Sequence, residues 1–410
     1  MEFNISGNSN VALGTSALNN NLNGSNNVAI GDSSLYFNTV ANNVAVGSKA
    51  LYSNTTGIYN TGLGYNTLRL NTTGTGNTSI GFTALGANST GSFNTATGYG
   101  ALSQNTTGSS NTANGIAALS SNTTGGGNTA MGQNALFLNT TGLFNTATGF
   151  SALNSNTGGT GNASHGGYSL FTNTSGSSNT GMGYYSLYSN TTGGDNTAIG
   201  GSSLQSNTTG QNNTAIGKFA LQGNTTGSGN TAIGSLAGYN NIGGGNVFIG
   251  SSAGFNETTT SNKLYIGNSS TGTILYGNFA TGQLLIGNSN PTGYSFIGNR
   301  KLNVVGGTIT DSLRVALVTD WADYVFDRNY QLRTLPELEQ YILKYRHLPN
   351  IPTTEEVKRQ GLNVAEMDTK LLEKIEELTL YIIQQQKMIE TQQRQIDEMM
   401  KWIKQEQKKE

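Results

Sequence analysis

Side chains that ordinarily carry chemistry are scarce in this chain. Its 410 residues include two histidines, His165 and His347, and no cysteine. A metal centre needs three or four ligands converging on one point, and a nucleophilic site needs a base within hydrogen-bond reach of the nucleophile. Two histidines in different regions of the sequence supply neither. His165 fills a place in a repeated motif that is elsewhere Ile, Met, Thr or Asn, so it reads as a tolerated variant of that motif. The G-x-G runs lie inside repeats, not between a strand and a helix, so they do not make a nucleotide loop. The expectation is a protein that is not an enzyme, with no catalytic residues, no metal and no cofactor.

Charge narrows the partners. Only eight charged residues precede Arg300, and the other 35 lie from Arg300 onward. Cations among the repeats are limited to Lys49, Arg69 and Lys218, too few to neutralise a phosphate backbone, so no nucleic-acid partner is expected. No apolar run is long enough to span a bilayer, so no direct membrane insertion is expected either. The opening MEFNISGNSN lacks the regions of a signal peptide and reads as the second half of a repeat.

What remains is aromatic. Tyr65, Phe82, Tyr99, Phe150 and Tyr184 follow a recurring Gly, and Tyr36, Tyr52, Phe137, Phe171 and Tyr188 follow a recurring Leu. Facing solvent, such columns could stack on sugar rings or grip a protein surface. Facing another chain, they would be packing residues. The sequence leaves both open.

The element that must position them is a repeat. The Asn of an N-[TV]-A-x-G marker recurs at 10, 27, 43, 60, 77, 94, 111, 128, 145, 162, 179, 196, 213, 230 and 246, with twelve intervals of 17 residues and two of 16. A period this short cannot hold a helical hairpin, so each copy is one coil of a β-solenoid or β-roll. Leu recurs four residues after the marker Gly from Leu18 to Leu221 and reads as a core spine. The residue before it and the third marker position stay small, so backbone layers approach closely. Gly in the markers and in N-T-T-G supplies positive-φ turns, and Asn can bond its counterpart one coil away. The N-x-[ST] triplets are explained by these turns and not by glycan attachment. Fifteen coils at about 4.8 Å per layer would extend roughly 70 Å. So few apolar side chains are thin against chain entropy, which implicates ladder hydrogen bonds and identical neighbouring chains.

Four regions follow: residues 4–254 as the repeat array, 255–310 as a β-rich neck, 311–368 as a small α+β region, and 369–410 as a coiled-coil helix. TLPELEQYILKY (334–345) carries a Thr cap and an early Pro for one amphipathic helix, and TTEEVKRQG suggests a short second one. In the last region Ile375, Ile382, Ile389, Ile396 and Ile403 fall at strict sevens, with Leu371, Leu378, Gln385, Gln392 and Met399 on the alternate seam. That is a heptad coiled coil with Ile at a and two Gln layers at d. With the roll arguing the same way, a homotrimer is expected.

NVAIG, NVAVG and NTAIG resemble the NSVAIG-type repeats in the collagen-binding heads of YadA-like trimeric autotransporter adhesins, which implies β-rolls packed as trimers. The departure is the 17-residue period, longer than the family unit. KLNVVGGTIT, DWADYVFDRNYQL, HLPNIPTTEEV and LLEKIEELTLYII together resemble the C-terminal region of tail-fibre-like proteins of Bacteroidetes and their phages. In that group some termini are intramolecular chaperones that trimerise the fibre and cleave themselves with a Ser and Lys pair. The S-D-x-R-x-K signature is missing, and Ser312 and Arg314 only echo it. The resemblances imply an extracellular adhesin or tail-fibre shaft, on a cell surface or a virion-like particle, whose partners are its own copies and a receptor glycan or surface protein. The alternatives are a self-cleaving maturation domain and an ice-binding solenoid. The latter would want Thr residues two apart, whereas N-T-T places neighbours on opposite sides of a strand.

Overall fold

The computed structural model describes residues 6–287, 301–313 and 321–408. The chain forms two compact units, one up to Gly307 and one from Thr308 onward.

The first unit is the β-solenoid that the 17-residue period requires. Its coils each contribute a three-residue strand, from β1 (Val11–Leu13) to β15 (Val247–Ile249), and neighbouring strands pair in parallel with marker residues in register. In each strand the middle residue points inward and the two flanking residues outward, as period-two geometry dictates. Thus Ala113 is buried while Thr112 and Asn114 are exposed. The Leu spine from Leu18 to Leu221 and the small residue before it are buried.

The turns are tighter than the sequence suggests. Each marker Gly sits at a φ that side chains rarely adopt: a Cβ on Gly115 (φ +139°) would lie 2.6 Å from the carbonyl carbon of Gly132 one coil on. The spine Leu residues are themselves left-handed, with φ of 51° at Leu119 and 52° at Leu136. A left-handed L-residue costs roughly 1–2 kcal/mol, and complete burial of the side chain outweighs that.

Two ladders of buried Asn fill the rest of the interior. In the marker ladder the Asn111 Oδ1 accepts both the backbone N–H of Asn128 (3.0 Å) and its Nδ2 (3.1 Å), while that Nδ2 also donates to the Gly142 carbonyl (2.9 Å). In the second, the Asn122 Nδ2 donates to Asn105 Oδ1 (2.7 Å) and to the Gly125 carbonyl (2.9 Å). Both coils of 16 residues drop their residue between the second-ladder Asn and the next marker. At each defect the second-ladder Asn of the short coil turns its Nδ2 away from the preceding coil, Asn38 to the Val40 carbonyl and Asn241 to Thr260, leaving the buried Oδ1 of Asn21 and of Asn224 without partners.

The N-T-T segment is a bend, not a strand, and this corrects the sequence-based placement of its Thr residues on opposite strand faces. The first Thr instead bonds across coils, as Thr106 Oγ1 does to the Thr123 carbonyl (3.0 Å), and the second is exposed. The Asn of these triplets is buried, as Asn105 and Asn122 are, so folding hides it from glycosylation.

The core changes composition at its far end. Gly238 and Gly254 stand where the spine Leu would be, and Phe248 replaces the small marker residue. The exchange is steric, because a Cβ on Gly254 would lie 2.3 Å from the Phe248 ring. Phe248 then stacks on Tyr265 at 5.4 Å. Strand β16 (Lys263–Gly267) continues the parallel stack, and β17 (Thr273–Asn278) and β18 (Gln283–Ile286) fold back antiparallel. A last strand, β19 (Leu302–Val304), pairs in parallel with β18. The GYSFIG stretch lies outside the described residues.

The second unit is helical. A 3-10 helix (Ala322–Phe326) is followed by α1 (Leu335–Tyr345), α2 (Thr354–Gln360) and the long α3 (Val364–Glu406). Thr334 and Thr353 begin α1 and α2 with reciprocal capping boxes to Glu337 and Glu356.

Candidate binding faces

One aromatic column is carried by the turn between each strand and its spine Leu, the other by the residue just after that Leu. Tyr65, Phe82 and Tyr99 come from consecutive coils and form one ladder, with centroids 5.4 and 5.1 Å apart and planes within 14° and 8° of parallel. They are 45, 44 and 60 % exposed. At these separations the rings are offset like tiles, so each leaves part of a face and an edge to solvent. Phe150 and Tyr184 belong to the same column and are exposed, but Gly167 stands between them. They join a mixed cluster in which Tyr168 meets Phe150 edge-on at 5.3 Å and Tyr184 meets Tyr185 at 4.2 Å.

The column after the spine Leu is half-buried. Tyr36 stacks on Tyr52 at 5.2 Å and Phe171 on Tyr188 at 5.3 Å, whereas Phe137 has Ser120 and Asn154 as its neighbours in the column. The two columns alternate in bulk. Where Tyr65, Phe82 and Tyr99 line the first, the second holds Arg69, Gly86 and Ser103. The missing bulk leaves a surface trough of about 340 Å³, lined by Asn66, Arg69, Thr83, Gly86, Ser103 and Gln104 among others. Sequence reasoning took the columns one at a time and missed this trough, although the signal lay in reading them side by side.

The outward strand positions form two further columns. The first is mostly Thr, in register through Thr95, Thr112, Thr129 and Thr146. The second is mostly apolar, with Ile80, Met131, Met182, Ile199 and Ile233 exposed. His165 belongs to this second column, between Thr148 and Met182. The other histidine, His347, has its Nδ1 2.9 Å from the Leu348 carbonyl oxygen. Among the described residues no group of three His, Cys, Asp or Glu could hold a metal ion, and no helix is long and apolar enough to cross a membrane. Ser312 is exposed, and Arg314 lies outside the described residues.

Along α3 the heptad positions Leu371, Ile375, Leu378, Ile382, Ile389, Ile396, Met399 and Ile403 are all exposed, as are Gln385 and Gln392. Another side of its first turns is occupied. The Tyr324 hydroxyl donates to Glu373 Oε2 (2.7 Å), the Asn350 amide to Glu373 Oε1 (3.1 Å) and the Tyr330 hydroxyl to Glu377. Lys374 bridges Glu373 and Glu377 at 2.7 and 2.8 Å, and the Tyr381 hydroxyl reaches the Arg333 carbonyl (2.6 Å). Burial alone would push the Glu373 carboxyl up, but bonds from Lys374, Tyr324 and Asn350 outweigh it and hold it below the usual range. Burial and the adjacent Glu373 push Tyr324 up to about 12. Glu376 is buried beside this network with one carboxylate oxygen unpartnered.

No protein-family model, no curated protein and no solved structure matches the chain.

Proposed function

We propose that the protein is a homotrimeric structural and binding fibre, an adhesin or tail-fibre-like shaft that works outside the cell and recognises a surface or matrix receptor through its repeat faces. The observation that carries this reading is the uncovered seam of α3. A helix with Ile375 59 % and Ile382 56 % exposed holds an apolar stripe in water that only other helices of the same pattern would cover efficiently. Three copies would bury it, and the two Gln layers would bond to one another across the axis. The solenoid supports the same reading, because its chemistry-free coils extend a surface without enclosing a reaction site. Repetition places weak contacts in a row, where one bound contact raises the effective concentration of the next.

Light scattering coupled to size exclusion tests the assembly, on the full chain and on a version ending before Asp368. We expect three times the 42.9 kDa chain mass for the first and loss of that mass for the second. A full chain that stays monomeric sinks the trimer.

A second reading is favoured by the outward Thr column, which runs in register on the strands and not in the N-T-T bends. Such an array is suited to ordering water as ice. Thermal hysteresis measured near the freezing point decides it, and a zero value removes it.

A further inference from the structure

We infer that the trough across the coils of Tyr65, Phe82 and Tyr99 is a binding site for an acidic oligosaccharide, one carrying uronic or sialic acid carboxylates. The inference deepens the reading of the repeat faces as receptor-binding and rests on it.

Three observations lie side by side on these coils, the ladder rings Tyr65 and Phe82 standing one residue before the lining residues Asn66 and Thr83. The first is shape: the column after the spine Leu holds no aromatic ring from Arg69 through Gly86 and Ser103 to Ser120, and the small Gly86 and Ser103 open about 340 Å³ at the surface. An elongated chain of rings fits a trough that runs along the stack. The second is the tiled ladder carried by the residues just before Asn66 and Thr83. Its rings repeat every 5.1–5.4 Å, close to the rise of one sugar unit in an extended polysaccharide, and they offer apolar edges to the C–H faces of pyranose rings.

The third observation is the polar equipment. Arg69 is one of only three cations in the repeats, and it makes no ion pair among the described residues. Its guanidinium presents a planar fork of donors that matches a carboxylate. Beside it Asn66 lines the trough, and its Oδ1 is buried without a hydrogen-bond partner, so a small rotation of the amide toward the trough would gain a bond to a ligand hydroxyl. Gln104 and Ser103 add donors and acceptors along the same floor. The unpaired charge also argues against this face packing on a second copy of the chain. The first 254 residues hold only Glu2, Asp32 and Asp195 as acids, and an unpartnered guanidinium buried in an interface is strongly unfavourable.

The test titrates the intact full-length protein with soluble hexagalacturonate and with α2,8-linked trisialic acid, using maltohexaose as the neutral control, and reads saturation-transfer NMR and calorimetry. At least one acidic probe is expected to bind, with the neutral control at least tenfold weaker. Arg69→Gln should abolish the preference for acid, and Ser103→Tyr should remove binding by refilling the trough. Both substitutions install residues that this column holds in other coils, Gln205 and Gln222 or Tyr36 and Tyr52, so the fold tolerates them. Absence of binding by both acidic probes, or binding that survives both substitutions, overturns the site. A cell-binding assay on the same variants separates the two levels: wild-type adhesion undiminished by Arg69→Gln and Ser103→Tyr would reject the trough while keeping the adhesive reading, and no adhesion by any form would reject the reading itself.

Discussion

Leu119 is buried with a backbone φ of 51°, which sets a large apolar gain against local strain. Truncating it to Ala keeps the strain and loses the gain, so Leu119→Ala is expected to cost about 2–5 kcal/mol in urea unfolding of the full chain. Burial of the column was legible because its offset from the marker Gly stays at four residues from Leu18 to Leu221. Its left-handed backbone was not legible, since nothing about Leu favours that conformation and only the tight coil imposes it. Smaller compensations were hidden too. Gly181 replaces a marker Ala in the coil between Ser169 and Ser186, and a Cβ there would lie 2.5 Å from Ser169 Oγ. Gly181→Ala should therefore destabilise by about 1–3 kcal/mol, and Ser169→Ala should recover most of that loss. Equal losses in both backgrounds would show that crowding is not the cause.

At the level of elements, α3 is held by a polar network at its start and left bare along its heptads. The helix and its register were readable from the Ile spacing, as were the caps at Thr334 and Thr353. The network was unreadable because Tyr324, Asn350 and Glu373 come together only through tertiary folding. Its pH dependence follows from the depressed Glu373 carboxyl. A group whose folded value lies below its unfolded one contributes stability above the unfolded value and loses it as pH falls through the folded one. Lys374 is shifted upward; burial opposes the shift, and the bonds to Glu373 and Glu377 outweigh it. Its contribution is complete below its unfolded value and fades only as pH rises through the folded one. Acidification through the carboxylate range should therefore loosen the 3-10 helix and the Asn350 loop from α3. Tyr324 fluorescence and amide exchange near residues 322–350 should report this, while a trace flat across that range would refute it.

For the whole chain, the relevant unit of change is one coil. Each coil meets only its neighbours, so removing residues 111–127, one full period, rejoins matching columns and should leave a folded solenoid with circular dichroism reduced only in proportion. Removing eight residues from the same place sets Leu119 where Asn111 stood, so the columns of that coil no longer match its neighbours, and should abolish cooperative unfolding. If both deletions melt alike, register is not what holds the array. The solenoid was legible because fifteen copies average out local noise. The trough escaped because it is a departure from the repeat, and the repeat is what the eye follows.

The second Asn row has one more property. From Asn54 to Asn224 every side-chain amide donates to the preceding coil, so all these amides point the same way and their dipoles add along the stack. Each bond polarises the next, which should draw the side-chain carbonyl stretch to lower frequency toward the middle of the row. The two short coils end the series: the carbonyls of Asn21 and Asn224 have no donor. The omission of one residue near each end thus works as an electrical terminator, fixing the length of a polarised wire inside a coat that carries almost no charge.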